Sequence, residues 1–144
     1  GRVTGVETAD GPIEAATTVL AAGVWSSAIA ATGGLDLPIQ AMRREIFTYA
    51  SVLGVPDDLP FVADFDVGSY IRRDEQGFRV SGTLAGDADE DGDIDPRGAG
   101  PTLEWAQTLV PGLTGAEPTG GWSGLTEITP DHHALLGPVP GLDG

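Results

Sequence analysis

The first part of the chain alternates between short strand-like segments and one helical segment. Residues Arg2–Glu7 alternate polar and apolar positions and stop before an Asp-Gly-Pro turn, and Ile13–Ala16 follows as the second strand of a hairpin. Thr17–Ala22 is a continuous run of small and apolar residues, which predicts a strand buried on both faces. Gly23 ends that run. A short helix is predicted next, because apolar residues recur with helical spacing at Trp25, Ala28, Ile29 and Thr32.

The middle and the end of the chain show the pattern of an antiparallel sheet with one helix. A hairpin turn is predicted at Asp74–Gly77, between two of the strands. Pro101 suits the first turn of a helix that ends before Pro111. The predicted strands are Arg43–Tyr49, Phe61–Asp64, Ser69–Arg73, Phe78–Gly82 and Trp122–Ile128. Together these elements predict a mixed α+β fold.

Charge and composition narrow the possible partners. The chain has 144 residues, with 22 acidic residues against 7 basic ones, and its formal charge is −15. Such a charge excludes nucleic acid and anionic membranes as partners, and no apolar run is long enough to span a bilayer. The absence of cysteine fits a cytoplasmic protein. All basic residues are arginine, which indicates either adaptation to high salt or a GC-rich genome.

The segment around Gly23 is a candidate cofactor contact. A strand that ends at glycine and leads directly into a helix directs backbone N–H groups outward, and glycine lets a ligand approach the main chain. Ala22, Gly23 and Trp25 are the residues concerned. The alternative is an ordinary tight turn between a strand and a helix.

Two arginine pairs are candidates for binding a substrate carboxylate. Neighbours on a strand point to opposite faces, so one member of each pair can face a binding site while the other is solvated. Arg44 and Arg72 are the candidates, and Tyr70 shares a face with Arg72 and can add a hydroxyl donor. The alternative for each is a surface arginine paired with one of the many carboxylates.

The acidic stretch Asp87–Asp95 partly matches a calcium-binding loop. Oxygen ligands at alternate positions would come from Asp87, Asp89, Asp91, Asp93 and Asp95. The position that needs a bidentate glutamate is Gly98, and Pro96 interrupts the loop. A solvated acidic loop therefore explains the stretch better, although a calcium-dependent or salt-adapted interaction module stays an alternative function.

Several stretches along the chain form a recognisable set, namely Val19–Ser26, Leu37–Ile39, Met42–Phe47, Tyr70–Arg73, Phe78–Thr83, Leu109–Leu113, Gly121–Asp131 and Leu136–Gly141. Together they resemble the FAD-dependent amino-acid and amine oxidase family, which includes D-amino-acid oxidase. Gly121–Asp131 and Leu136–Gly141 are the most specific, and they are most similar to the branch of the sarcosine oxidase β subunit and dimethylglycine dehydrogenase.

This resemblance implies an internal piece of a two-domain flavoprotein. Residues 1–34 would belong to the FAD-binding half, residues 35–128 would form the antiparallel substrate sheet, and residues 129–144 would return toward the FAD-binding half. Ala22, Gly23 and Trp25 would contact FAD, and Tyr70 and Arg72 would face the substrate. The implied reaction oxidises the C–N bond of a small amino acid or secondary amine by hydride transfer to flavin, and partner subunits are possible.

The chain also departs from the pattern of that family. The glycine-rich fingerprint for the FAD pyrophosphate is absent, and without cysteine no flavin can be attached through a thioether. Thr126 stands where relatives often have tyrosine. No catalytic residue is predicted, and a hydroxy acid or glycerol phosphate stays an alternative substrate.

Overall fold

A computed structural model describes residues 1–87 and 93–144. The chain folds as two compact units, one of residues 1–40 with 127–144 and the other of residues 41–126. The division into a FAD-binding half and a substrate half, with boundaries at residues 34 and 128, stays a prediction. No helix among the described residues is long and apolar enough to cross a membrane.

The first unit contains a hairpin and a short helix. Strands β1 (Gly5–Thr8) and β2 (Gly11–Glu14) pair antiparallel, with Thr8 opposite Gly11. A 3-10 turn at Gly23–Trp25 leads into α1 (Ser26–Thr32), and the helix ends at Gly33. The predicted hairpin and helix are therefore confirmed, with the first strand shorter than expected.

The predicted buried strand at Thr17–Ala22 is wrong. This segment forms no strand, and Val19 is 83% exposed. A buried strand needs neighbours that satisfy its backbone N–H and C=O groups, and among the described residues no strand pairs with this segment. The apolar run therefore remains on the surface of this unit.

The second unit is built on a five-stranded sheet in the order β4-β5-β6-β3-β7. Its strands are β3 (Gln40–Ala50), β4 (Val62–Asp64), β5 (Ser69–Asp74), β6 (Gly77–Asp87) and β7 (Pro118–Ile128). The β3–β6, β4–β5 and β5–β6 pairs are antiparallel. The α+β class and the predicted strands are confirmed, and β3, β6 and β7 extend beyond their predicted bounds.

In the described part of the chain, one helix packs on this sheet. A 3-10 turn at Pro96–Gly98 precedes α2 (Ala99–Leu109), and a second 3-10 turn follows at Pro111–Leu113. The buried core between helix and sheet consists of aromatic and aliphatic side chains, among them Phe47, Tyr49, Ile71, Phe78, Val80, Ala106 and Leu113. The buried Tyr49 hydroxyl donates to the carbonyl of Ala99 over 2.7 Å, which satisfies its polar atom inside the core.

Candidate functional site

The five-stranded sheet has two chemically different faces. Phe47, Val80 and Ile71 lie opposite one another on β3, β6 and β5 and form part of the core under α2, and we call this side the helix face. Because side chains alternate along a strand, the adjacent row points the other way. That row contains Thr48, Arg79 and Arg72, and we call its side the open face. Tyr70 and Asp74 lie on the open face too, since they alternate with Arg72 along β5.

The arginine pair on β5 divides between the two faces, as the alternation predicts. Arg72 lies on the open face and is exposed, whereas Arg73 lies on the helix face with its guanidinium 5.2 Å from the centre of the Phe78 ring. Tyr70 stacks on Phe61 with ring centres 5.1 Å apart. That stack limits the rotation of the tyrosine ring beside Arg72.

Arg44 reaches across the sheet toward the start of β5. Its Nη1 donates to the carbonyl of Gly68 over 2.6 Å and to Ser81 Oγ over 2.7 Å. The buried Ser81 hydroxyl donates in turn to the carbonyl of Gly82. Both acceptors of Arg44 are neutral, so these bonds fix the guanidinium without neutralising its charge.

The six arginines of the second unit differ in how their charge is balanced. Four of them form ion pairs with a carboxylate, namely Arg43 with Glu45, Arg73 with Asp57, Arg79 with Asp74 and Arg97 with Asp95. Among the side chains that the structure describes, those of residues 1–82 and 93–144, neither Arg44 nor Arg72 pairs with a carboxylate. Ser81 follows Val80 along β6 and therefore points to the open face, so the Arg44 guanidinium that donates to it lies on that face as well. In a chain with 22 acidic residues, these two arginines are the candidates for binding an anionic ligand.

A shallow cleft lies on the open face beside Arg79. Its volume is about 300 Å³, and it is lined in part by Thr48, Gln76, Thr119 and Trp122. The Arg79 guanidinium lies 5.3 Å from the centre of the Trp122 ring, and its Nε lies 2.5 Å from Asp74 Oδ2. The cleft therefore has an aromatic wall and a neutralised cation in its lining.

A local irregularity in β7 brings Thr119 and Trp122 to the same face. Strict alternation would place these residues on opposite faces, but Thr119 Oγ1 donates to Thr48 Oγ1 over 2.9 Å while Trp122 covers Arg79. Gly120 lies between them with a φ of +146°, a conformation that favours glycine. At Gly121 a Cβ would collide with the carbonyl oxygen of Ile46. The two glycines thus allow the strand to turn both side chains toward the open face.

Asp74 is held by the hairpin turn as well as by Arg79. Its Oδ1 accepts from the backbone N–H groups of Gln76 and Gly77 over 2.9 and 3.0 Å. The hydrogen bond from Gln76 is the main cause that lowers the pKa of Asp74 below 3.8, and Arg79 adds to it. The carboxylate is therefore charged at neutral pH and has a fixed position.

The candidate cofactor contacts lie together in the first unit, at the 3-10 turn before α1. Gly23 has a φ of +55°, and a Cβ at this position would lie 3.7 Å from Glu127 Oε2. The Ala22 N–H donates to Ser26 Oγ over 3.2 Å, and the Trp25 side chain is largely exposed. The turn combines accessible backbone, an exposed indole ring and a nearby carboxylate.

The calcium-loop candidates lie largely outside the described residues. Asp89 and Asp91 belong to the undescribed segment, and of Asp87 only the backbone is described. The carbonyl of Asp93 accepts from Arg43, and the carboxylate of Asp95 accepts from the Arg97 side chain, which lowers the pKa of Asp95 to about 2. Among the described residues, no group of three or more His, Cys, Asp or Glu side chains is arranged to hold a metal.

Sequence reasoning missed the residues of the cleft, namely Thr48, Asp74, Arg79, Thr119 and Trp122. Two of them follow from a signal that is present in the sequence. These two are Asp74 and Arg79. The predicted hairpin turn places Asp74 opposite Gly77, and counting two residues outward along each strand then places Arg72 opposite Arg79. Trp122 has no comparable signal, because its orientation depends on the irregularity at Gly120.

Comparisons with known proteins agree with the fold and identify the family. The family model described as FAD dependent oxidoreductase matches residues 1–144. Glycine oxidase of Pseudomonas putida is 35% identical over 149 aligned residues, which cover 100% of this chain and 38% of the relative. Mitochondrial sarcosine dehydrogenase of Homo sapiens is 33% identical, with 99% of this chain and 17% of the relative covered.

A solved structure of a glycine oxidase has the same fold over nearly the whole chain. The crystal structure of glycine oxidase from Geobacillus kaustophilus superposes with a TM-score of 0.75 at 27% identity, covering 98% of this chain and 39% of that one. The chain thus spans well under half the length of the relatives it matches. Since the family model covers every residue, the chain belongs to the family of FAD-dependent oxidoreductases.

Proposed function

We propose that the second unit binds the substrate of an enzyme that uses FAD to oxidise the C–N bond of a small amino acid or secondary amine. The observation that carries this proposal is the pair of guanidiniums on the open face, Arg44 and Arg72, that lack a carboxylate partner among the described residues. Relatives named glycine oxidase and sarcosine dehydrogenase support an amino-acid substrate.

Each open-face residue has a defined role in this proposal. Arg72 binds the substrate carboxylate through its planar guanidinium, which matches a carboxylate in a bidentate geometry. Tyr70, held by its stack on Phe61, donates a hydroxyl hydrogen bond to the same carboxylate. Arg44 adds positive charge and fixes the start of β5 through Gly68. Together they orient the substrate carbon next to the amine, which is the main task of a protein in cofactor-driven oxidation.

The turn at Gly23 suits a neutral part of FAD. Glu127 lies beside this turn, and its carboxylate would repel the pyrophosphate. A hydroxyl or ring N–H of the cofactor can instead donate to that carboxylate, while Ala22 and Gly23 present accessible backbone and Trp25 an exposed ring. When bound, FAD supplies the hydride acceptor for the substrate carbon.

The test is to express the full open reading frame that contains this chain and to purify the protein with its flavin. Anaerobic addition of sarcosine or glycine should bleach the flavin absorbance. If no amino acid or secondary amine bleaches it, the proposed substrate class is wrong. Bleaching by a hydroxy acid or glycerol phosphate alone would assign the enzyme to the alternative substrates.

Cytoplasmic location and assembly with further subunits are additional proposals. The lack of cysteine supports the first. Exposed apolar side chains of the first unit, such as Val19 and Trp25, support the second. Light scattering coupled to size-exclusion chromatography of the purified full-length protein, alone and co-expressed with its neighbouring genes, tests the assembly.

The calcium-dependent interaction module is not favoured. The family match includes the acidic stretch, and the Asp95 carboxylate is occupied by Arg97.

A further inference from the structure

Two arginines occupy neighbouring positions on the open face but differ in charge balance. Arg72 and Arg79 are directly opposite each other on β5 and β6, and side chains so paired start about 5 Å apart. Arg72 has no carboxylate partner within the described residues, whereas Arg79 is paired with Asp74. The carboxylate of Asp74 therefore determines whether one or both of these guanidiniums lack a negative charge beside them.

We propose that Asp74 is a specificity-determining residue, which neutralises Arg79 and thereby restricts the site to amines that carry one carboxylate. This inference rests on the proposed function, in which Arg72 binds that carboxylate. An amine with two carboxylates would have to place its second charge near Arg79, where Asp74 lies beside Nε, balances the charge of the guanidinium and would repel the incoming anion.

The position of the cleft supports this role. It lies beside Arg79 and is lined by Thr48, Thr119 and Trp122, so the part of the substrate beyond the first carboxylate would meet hydroxyl groups and an indole ring. These groups accommodate a methyl group or a hydrogen on the substrate nitrogen. A carboxylate placed in the cleft would meet an Arg79 guanidinium whose charge Asp74 already balances.

The Asp74–Arg79 pair is also better fixed than an ordinary surface ion pair. Two backbone N–H groups of the hairpin turn hold Oδ1 of Asp74, and this leaves Oδ2 for Arg79. The Asp74 side chain is 19% exposed and that of Arg79 is 38% exposed, whereas Asp95 and Arg97 are 45% and 90% exposed. Neutralisation of Arg79 is therefore a lasting property of the folded hairpin.

The other side of the sheet offers a matched control. Arg73 forms an ion pair with Asp57 over 2.5 Å, and its guanidinium lies 5.2 Å from the centre of the Phe78 ring. This is the same combination of arginine, carboxylate and aromatic ring, but it lies on the helix face. Removing the Asp57 charge frees a guanidinium that a substrate on the open face does not meet.

The experiment compares sarcosine with iminodiacetate, which is a secondary amine with two carboxylates. The full-length flavoenzyme is assayed as wild type, Asp74→Asn, Asp57→Asn and the double variant Asp74→Asn with Arg79→Gln. Asparagine keeps the acceptor oxygen for the hairpin turn while it removes the charge. The quantity measured is the ratio of kcat/KM for iminodiacetate to kcat/KM for sarcosine.

We expect this ratio to rise about tenfold or more in Asp74→Asn, because a freed Arg79 can bind the second carboxylate. The ratio should stay within about twofold of wild type in Asp57→Asn and return toward wild type in the double variant. An unchanged ratio in Asp74→Asn, or an equal rise in Asp57→Asn, overturns the inference.

A replacement variant and the activity of the wild type keep the experiment decisive. If Asp74→Asn does not fold, Asp74→Ser replaces it, since a serine hydroxyl also accepts from turn N–H groups. If neither substrate nor any other amine reduces the flavin of the wild-type enzyme, the proposed function itself fails. Activity with sarcosine together with an unchanged ratio rejects only the role of Asp74.

Discussion

The two faces of the five-stranded sheet carry the same polar unit in different surroundings. On each face an arginine lies over an aromatic ring and pairs with an aspartate, Arg73 with Phe78 and Asp57 on the helix face and Arg79 with Trp122 and Asp74 on the open face. On the helix face the ring, Phe78, belongs to the buried core, whereas Asp57 is exposed. The open face surrounds its unit with Thr48, Tyr70 and Arg72, which has no carboxylate partner in the described part of the chain.

From this difference we infer that the helix face mainly stabilises the fold and the open face mainly recognises the substrate. Apolar burial on the helix face supplies the free energy that holds sheet and helix together. The open face keeps charged and aromatic groups accessible, and these stabilise the fold much less. Substitutions on the helix face should therefore change the free energy of unfolding most, and substitutions on the open face should change substrate recognition instead.

The largest difference is expected between two adjacent residues of β3. Phe47 is buried under α2, whereas its neighbour Thr48 lies on the open face and contacts Thr119. Phe47→Ala should lower the free energy of unfolding by about 3–5 kcal/mol, because it leaves a cavity. Thr48→Ala should cost no more than about 1 kcal/mol, the value of one hydrogen bond. Urea unfolding of both variants measures this, and equal losses would contradict the assignment of the faces.

A smaller effect is expected at the two glycines that shape β7. Gly121→Ala places a Cβ against the carbonyl oxygen of Ile46 and 3.0 Å from Ile94 Cδ1, and it should cost about 1–3 kcal/mol through overpacking. Gly124→Ala is the control in the same strand, since nothing lies within 4 Å of its Cβ position. Thermal unfolding compares them. A Gly124 variant that is destabilised as much as the Gly121 variant would show that the close approach is not the cause.

The smallest effect concerns acid unfolding. The pKa of Asp74 is lower in the folded protein than its ordinary value of 3.8, so the unfolded chain binds more protons between these two values. The contribution of Asp74 to the free energy of unfolding is complete above pH 3.8, and it is lost as the pH falls through the lowered pKa. It should not exceed about 1 kcal/mol, since the pair is near the surface.

Melting temperatures of wild type and Asp74→Asn measured from neutral pH down to acid check this prediction. The wild type should lose more stability than the variant in the acidic range, and the two curves should converge there. Parallel curves over the whole range would contradict a stabilising charge on Asp74.

Local patterns predicted most of the second unit correctly. The alternating segments at Arg43–Tyr49 and Ser69–Arg73 form strands, and Asp74–Gly77 forms the predicted turn. The separation of Arg72 from Arg73 also follows from alternation. These features depend on neighbouring residues in the sequence, so the sequence is sufficient to predict them.

Features that depend on distant partners were not predictable in the same way. The apolar run at Thr17–Ala22 has strand composition, but no strand pairs with it among the described residues, and composition alone does not supply a partner. The position of Trp122 over Arg79 requires the irregularity at Gly120, which alternation does not anticipate. The substrate roles of Tyr70, Arg44 and Arg72 and the cofactor roles of Ala22, Gly23 and Trp25 stay predictions.

Recognition of a carboxylate by Arg72 is the central claim, and substrate discrimination tests it most directly. Sarcosine and dimethylamine share a secondary amine with an N-methyl group, and dimethylamine lacks the carboxylate. Rates of flavin reduction by the two compounds are measured in wild type, in Arg72→Ala and in Arg97→Ala. Arg97 is the control because it is exposed and paired with Asp95.

We expect the preference of the wild type for sarcosine to fall by about a hundredfold in Arg72→Ala and to be unchanged in Arg97→Ala. A preference for sarcosine that survives in Arg72→Ala would contradict carboxylate binding by this arginine on the open face.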